Sequence, residues 1–200
     1  HFIFSFRADI VRHPGDKMPV ALALIGESGT GKSAVGEMMK RILGQHMFTV
    51  SDPAHVSGRF NKHLATLLLL HAEEGAIWAG DPSAVGKLRD FVSRQTMPLE
   101  SKGVDTVEIE SHARLLLTTE DEQAVRASRR ERRFACFRVS DAKRGNREYF
   151  RELFAEINSE AGTGTAAFLH FLLNYDYDRN AVLRSVPETE ILNAQKLASM

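Results

Sequence analysis

The eight residues GESGTGKS at positions 26–33 constrain the fold of this chain more than any other feature. They match the pattern G-x-x-x-x-G-K-S at every fixed position, with an apolar run at 20–25 before them and the helix-like segment AVGEMMKRIL after them. A strand, a glycine-rich loop and a helix in this order form a loop whose backbone N–H groups face an anion at the N-terminus of the helix. The alternative is a glycine turn that merely contains Lys-Ser. We predict a site for a nucleoside triphosphate.

Each position of this loop has an expected role in that site. Lys32 would contact the β- and γ-phosphates, and the Ser33 hydroxyl would complete the coordination of Mg²⁺. Glycines provide the backbone freedom that a tight anion-binding turn requires. The nucleotide-binding residues predicted from the loop are Gly26, Glu27, Ser28, Gly29, Thr30, Gly31, Lys32 and Ser33.

Strand-like and helix-like segments alternate along the chain, which is typical of an α/β fold with a parallel sheet. Buried strands are expected at 19–25, 48–50, 67–70, 115–117 and 134–139, helices at 32–43, 57–65, 81–94 and 166–174 and from 146 onward, a hairpin at 97–109 and a polar tail at the end. We therefore predict three parts: an N-terminal connector (1–17), a P-loop ATPase core (18–142) and a small helical C-terminal part (143–200).

Composition limits the classes of protein that this chain can belong to. Its 200 residues, 43% of them hydrophobic, suit one compact domain, with or without a small appendage, and the formal net charge of zero argues against a broad basic face for nucleic acid. The single Cys136 lies in FACF, where we expect a buried structural thiol. No apolar run approaches the length of a membrane span and no signal peptide is visible. The start at His1, without methionine, suggests a fragment of a longer protein.

Two acidic residues follow the leucine-rich run at 67–70. In a triphosphatase, one carboxylate at the end of a neighbouring strand supports Mg²⁺ and another polarises the attacking water. We assign Glu73 to the metal and Glu74 to the water, with an ordinary acidic turn as the alternative. His71 is expected to be a structural strand residue.

Two further catalytic positions follow later in the chain. Thr119, at the end of the strand ARLLLTT, is the candidate sensor of the γ-phosphate, Glu120 is the alternative, and either residue could simply cap a loop. The arginine-rich stretch at 126–134 runs into the strand FACFRV, where Arg132 or Arg133 could reach the γ-phosphate of a neighbouring subunit. The alternative is a solvated charge run.

Taken together, GESGTGKS, LLLLHAEEGAIWAGD, the hairpin with Lys102 and Gly103, ARLLLTTED and RRERRF resemble the superfamily 3 helicase module of phage and plasmid primase-helicases, related to the poxvirus type. The resemblance implies an AAA+-like parallel sheet flanked by helices, ATP and Mg²⁺ as cofactors, a hexameric ring and translocation on single-stranded DNA. It also implies a primase-polymerase domain in the same full-length chain and a location in the cytoplasm of a bacterial host.

The resemblance assigns the catalytic roles to Glu73, Glu74, Thr119 and Arg132 or Arg133, and a DNA contact to Lys102 at the hairpin tip. Without the resemblance, Lys102 could equally be an ordinary turn lysine. The usual Asp and Asn of the family are replaced by Glu73 and Thr119, which puts the rate of hydrolysis in doubt. The expected function is an ATP-dependent DNA helicase module. Another AAA+ ATPase (a loader or remodeller) and a nucleotide-gated scaffold with weak hydrolysis are the alternatives, and a small-molecule kinase is the last.

Overall fold

A computed structural model describes residues 1–51, 64–73, 82–101, 104–123, 125 and 131–198. Its strands, in chain order, are β1 (Ala21–Ile25), β2 (Met47–Val50), β3 (Leu69–Glu73), β4 (Thr96–Ser101), β5 (Val104–Glu110), β6 (Arg114–Thr119) and β7 (Phe134–Arg138). Its helices are α1 (Phe2–Arg12), α2 (Lys32–Leu43), α3 (Pro82–Ser93), α4 (Arg147–Ile157), α5 (Thr163–Asn174), α6 (Arg179–Arg184) and α7 (Glu190–Ala198), with a 3₁₀ turn at Gly44–His46.

Five of the described strands form one parallel sheet in the order β2-β3-β6-β1-β7. All residues of β1 and β6 are buried, because helices cover both faces of a parallel sheet and its inner strands are therefore almost uniformly apolar. The fold is thus a mixed α/β architecture with a parallel central sheet flanked by helices, as predicted at that level. The helix expected at 32–43 is confirmed with the same limits.

Strands β4 and β5 pair antiparallel and form the hairpin that the sequence predicts. Its tip, at 102–103, lies outside the described residues, as does most of the helix expected at 57–65. The prediction of a polar tail at the end of the sequence was wrong, because helices α6 and α7 occupy that segment. Both helices have an N-cap side chain: Asp178 accepts a hydrogen bond from the Ala181 N–H (3.1 Å), and Thr189 accepts one from the Leu192 N–H (3.2 Å).

Residues 1–17, which the sequence analysis assigns to an N-terminal connector, begin with helix α1. Phe6, Ala8 and Ile10 of this helix are buried in the same hydrophobic core as the sheet. None of the described helices combines the length and the hydropathy that a membrane-spanning helix requires.

A buried ion-pair network joins α1 to the sheet. The Asp9 carboxylate accepts from Arg114 at the start of β6 (3.2 Å) and from Nε of Arg179 on α6 (2.6 Å), and the Asp9 and Arg114 side chains have no exposed surface. Tyr177 also donates to Asp9 (3.3 Å), and burial, with the nearby Asp9 charge, raises the pKa of Tyr177 to about 12. Arg114 further donates to backbone carbonyls, including those of His13 (2.6 Å) and Asp16 (2.8 Å). One carboxylate therefore holds both ends of the chain on the sheet.

We predict that Asp9→Ala lowers the free energy of unfolding by about 3–5 kcal/mol, because it leaves Arg114 buried without a counter-charge. The matched control is Asp90→Ala, which breaks an exposed pair with Arg94 (2.9 Å) and should cost less than about 1 kcal/mol. Urea unfolding followed by circular dichroism measures both. Equal losses in the two variants would contradict the role of the network.

Candidate functional site

The glycine loop, residues 26–33, joins the end of β1 to the first turn of α2. Gly29 and Gly31 have φ angles of +76° and +93°, a region that residues with a Cβ rarely adopt. The Gly26 N–H donates to the carbonyl of Thr119 (3.1 Å), and the Thr30 hydroxyl donates to the carbonyl of Glu27 (2.8 Å). The loop is therefore a folded turn, anchored to β6, at the N-terminus of a helix.

Lys32 is the first residue of α2 and its side chain lies over the loop. Its Nζ donates to the carbonyls of Gly26 (2.6 Å) and Glu27 (2.8 Å). An exposed ion pair joins Arg144 to Glu27 of the loop (3.4 Å). The Lys32 ammonium is thus held beside the backbone that an anion would contact.

A cleft of about 280 Å³ opens next to the loop. It is bounded by the loop, the ends of β3 and β6, and helix α4. Its described lining residues are Ser28, Gly29, Gly31, Lys32, Ser33, Ala34, Glu73, Thr118, Glu120, Phe150 and Phe154. The structure thus brings together several loop residues and one predicted carboxylate.

Ser33 and Glu73, the two predicted metal ligands, both line this cleft and an adjoining cavity of about 410 Å³. A hydroxyl and a carboxylate are hard oxygen donors of the kind that Mg²⁺ accepts together with phosphate oxygens, so the residues present fit this ion. Among the described residues, no group of three or more His, Cys, Asp or Glu is arranged to hold a metal. Glu74 lies outside the described residues.

The predicted sensor position is placed differently from the expectation. Thr118 and Glu120 line the cleft, whereas the Thr119 hydroxyl accepts from the Asp121 N–H (3.0 Å) and helps to fold the loop after β6. Successive residues of a strand point to opposite faces, so neighbours on either side of Thr119 share the cleft face. Thr118 was missed because the sequence does not fix which threonine faces the loop.

His71 is a second residue whose contribution the sequence did not reveal. Its ring is buried, its Nε2 shares a hydrogen bond with the Thr118 hydroxyl (2.9 Å), and its Nδ1 lies 3.9 Å from the Glu73 carboxylate. Burial lowers the pKa of His71 to about 4, so the ring is neutral at pH 7. A Cβ on Gly36 would lie 2.3 Å from this ring, which explains the glycine in the middle of α2. His71 therefore positions the Thr118 hydroxyl and lies beside the Glu73 carboxylate.

Helix α4 closes the cleft from the C-terminal part of the chain. A Cβ on Gly31 would lie 2.7 Å from the Phe150 ring, so this glycine is required by packing as well as by its φ angle. Phe154, one turn later, also lines the cleft. The helical spacing of these two residues was visible in the sequence, but not the surface that they cover.

The remaining predicted site residues lie away from the cleft or outside the residues that the structure describes. Arg132 and Arg133 directly precede β7, and Arg133 donates to the Ser93 hydroxyl (2.6 Å). They therefore lie at the N-terminal ends of the parallel strands, whereas the glycine loop lies at the C-terminal ends. For this reason neither arginine lines the cleft of its own chain. A contact with a second copy stays a prediction. Lys102 lies outside the described residues.

Cys136, expected as a structural thiol, is fully buried in β7. Burial raises the pKa of its thiol to about 12, which makes it a poor nucleophile.

Comparison with known proteins identifies the family. The sequence profile of a family of unknown function, DUF5906, matches residues 24–133, which include the glycine loop, β3, the hairpin and β6. The chain belongs to this family.

One curated relative, the DNA primase-polymerase of Nitratiruptor phage NrS-1, is 22% identical over 169 residues, covering 84% of this chain and 23% of the relative. Two apo structures of the NrS-1 C-terminal region, one of them its A form, superpose with a TM-score of 0.84 at 21% identity. This chain is covered completely in both and spans 46% and 47% of those structures. It therefore spans less than half of the solved structures and under a quarter of the curated relative. At this identity the structural likeness shows the fold.

These similarities correct the function expected from the sequence. The matched relative is a DNA primase-polymerase. The prediction of an ATP-hydrolysing DNA helicase was therefore wrong, and with it the helicase, ATP-binding and hydrolase assignments. The expected relation to phage replication proteins is confirmed.

We predict a pH dependence of stability that originates in His71. Its folded-state pKa of about 4 lies below the ordinary value of 6.5, so the unfolded state binds more protons between these values. Stability is therefore fully present above about pH 6.5 and falls by roughly 3 kcal/mol as the pH decreases to about 4. Urea unfolding between pH 7 and pH 4 measures this loss.

His71→Gln keeps a hydrogen-bonding side chain beside Thr118 but removes the titrating ring, so its stability should change less over the same range. His170→Gln, at an exposed position on α5, is the matched control and should keep the wild-type slope. A His71→Gln slope equal to that of the wild type would show that other groups cause the loss.

Proposed function

We propose that this chain binds a Mg²⁺–nucleoside triphosphate in the cleft beside the glycine loop, as part of a DNA replication protein of the primase-polymerase type. The observation that carries the proposal is the folded loop with its two positive-φ glycines at the N-terminus of α2, facing Glu73 at the end of β3. A helix N-terminus with free N–H groups attracts phosphate without any further cation. The relation to the phage primase-polymerase supports the use of nucleotide in replication.

Each residue of the loop has a distinct task in this proposal. The backbone N–H groups of 29–33 would donate to phosphate oxygens, and Lys32 would move its ammonium from the loop carbonyls to the outer phosphates. Ser33 and Glu73 would hold Mg²⁺ together with phosphate oxygens, with Glu74 next in the chain. When bound, the ion supplies charge neutralisation of the triphosphate.

The sheet supports a P-loop core of the AAA+-like kind as the framework of this site. The loop follows β1, which lies between β6 and β7, and the acidic strand β3 is separated from β1 by β6 alone. In this order β6 lies between the strand that precedes the glycine loop and the strand that carries Glu73. A polar side chain on β6 can therefore lie between the loop and the carboxylate, and Thr118 has this position.

A nucleoside triphosphate is also what primer synthesis consumes, so the proposed site and the proposed class of protein agree in their substrate. In this proposal the chain acts in the cytoplasm of the host cell, with DNA as its macromolecular partner. Assembly into a ring stays a prediction.

We expect Lys32→Ala to weaken the binding of Mg²⁺–nucleoside triphosphate at least about tenfold, because charge-assisted hydrogen bonds to phosphate contribute roughly 1.5–3 kcal/mol. Isothermal titration calorimetry with this chain measures the change. Lys196→Ala, which removes a lysine of α7 that pairs with Glu188 (3.8 Å), is the matched control and should bind as the wild type does.

Ser33→Ala should reduce the gain in affinity that Mg²⁺ gives while retaining metal-independent binding. Equal affinities in the wild type and Lys32→Ala would rule out the phosphate site. In the full-length protein, Lys32→Ala should also lower primer synthesis at limiting nucleotide concentration.

We also propose that the β4–β5 hairpin contacts DNA through Lys102. The hairpin sequence carries four carboxylates, Glu100, Asp105, Glu108 and Glu110, and this single lysine, so any attraction for phosphate is confined to the tip.

Lys102→Ala should weaken binding of a fluorescent single-stranded oligonucleotide and lower the slope of log K against log salt concentration by about 1. Thr106→Ala, at an exposed position on the same hairpin, is the control. Unchanged affinity and salt slope in Lys102→Ala would remove the hairpin from the DNA interface.

A further inference from the structure

A third space, a cavity of about 540 Å³, borders the glycine loop, and Glu73 is not among its described lining residues. Gly31, Ala34 and Phe150 line both this cavity and the phosphate cleft, so the two spaces meet at the start of α2. Its volume lies in the range of small-molecule sites. A ligand with phosphates in the cleft could therefore place its remaining part in this cavity.

The cavity is predominantly apolar, with side chains from α1, α2, α4 and α5, such as Phe4, Val35, Leu153 and Phe168. Apolar and aromatic walls suit the faces of a flat heterocycle. The charged side chains among its described lining residues are Arg7 and Lys143, and none of these lining residues is acidic. The charged groups of the cavity therefore offer only hydrogen-bond donors to a ligand.

Arg7 of α1 is the most unusual of these groups. Its guanidinium carbon lies 6.0 Å from the Phe4 ring centroid and 5.8 Å from that of Phe168. Its Nε is buried without a hydrogen-bond partner, and no carboxylate among the described residues forms an ion pair with it. Burial lowers the pKa of Arg7 to about 10, and the side chain still carries its charge at pH 7.

Arg7 is half-buried as a whole, and a cation that is partly removed from water without a counter-charge is stabilised when a ligand offers acceptors to it. This contrasts with Arg114 and Arg179, which the same fold pairs with Asp9. The guanidinium offers a planar set of N–H donors, which matches two neighbouring acceptors.

We propose that this cavity is a nucleobase subsite that prefers guanine, with Arg7 donating to the O6 and N7 acceptors of the base. This inference rests on the triphosphate site proposed above. Guanine presents two acceptors on this edge, whereas adenine presents one acceptor and an amino donor that would oppose the guanidinium. Lys143, 5.0 Å from the Tyr149 ring centroid, adds a second donor.

The test compares the affinities of Mg²⁺ complexes of four nucleotides for this chain by calorimetry. Guanosine and inosine triphosphates, which share O6 and N7, should bind about tenfold more tightly than adenosine triphosphate. 7-Deazaguanosine triphosphate, which lacks the N7 acceptor, should fall between them. Equal affinities for all four would overturn the guanine preference and leave the triphosphate site intact.

Arg7→Met keeps an unbranched apolar side chain but removes the donors, so the preference for guanine should disappear while triphosphate binding remains. The melting temperature without nucleotide should rise, because a half-buried cation without a counter-charge is replaced by an apolar side chain. Arg151→Ala, on the exposed side of α4, is the control and should retain the preference.

Lys32→Ala separates the two proposals, since it should weaken every nucleotide alike. A preference for guanine that persists in Arg7→Met would overturn the assignment of Arg7. A wild-type chain that binds none of the four nucleotides would overturn both proposals together.

Discussion

The parallel pairing of β1 between β6 and β7 is the constraint on which the candidate site depends. It places Ile25, the last residue before the glycine loop, opposite Thr119 and Arg138, and the neighbouring pair β3–β6 places Glu73 opposite Thr118. The C-terminal ends of parallel strands lie on the same side of the sheet. The glycine loop, the Thr118 hydroxyl and the Glu73 carboxylate therefore lie close together. A shift of one residue in β6 would turn Thr118 away and bring Thr119 to the cleft.

Helices from the N-terminal and C-terminal parts of the chain form the rest of the candidate site. Asp9 ties α1 and α6 to Arg114 at the start of β6, which fixes α1 beside the cavity that Arg7 lines. From the other terminus, α4 brings Phe150 against Gly31. Terminal helices usually tolerate change, but here their burial and ion pairs make them part of the site. A truncation of either end would therefore affect the ligand cavity as well as stability.

Local signals allowed part of this arrangement to be predicted. The glycine loop and α2 followed from the pattern of residues 20–43, and the hairpin from two extended arms around Lys102 and Gly103, because these features are set by neighbouring residues. The helical nature of 2–12, the cleft-facing role of Thr118 and the partner of Gly36 depend on contacts with residues far away in sequence. His71 is only three residues after Leu68, yet its role depends on Thr118, 47 positions later.

The error in the predicted function has the same origin. A glycine loop with lysine and serine specifies how phosphate is held, and that chemistry is shared by proteins that use the nucleotide in different ways. What a nucleotide is used for depends on the groups around it, and in the proposed site these are a neutral, buried His71 bonded to Thr118 and an Arg7 whose buried Nε has no hydrogen-bond partner. Neither His71 nor Arg7 belongs to a short sequence motif, so a prediction of function from motifs does not consider them. The groups that would select the base and position the hydroxyl are set by tertiary packing, and the function of this family has to be inferred from them.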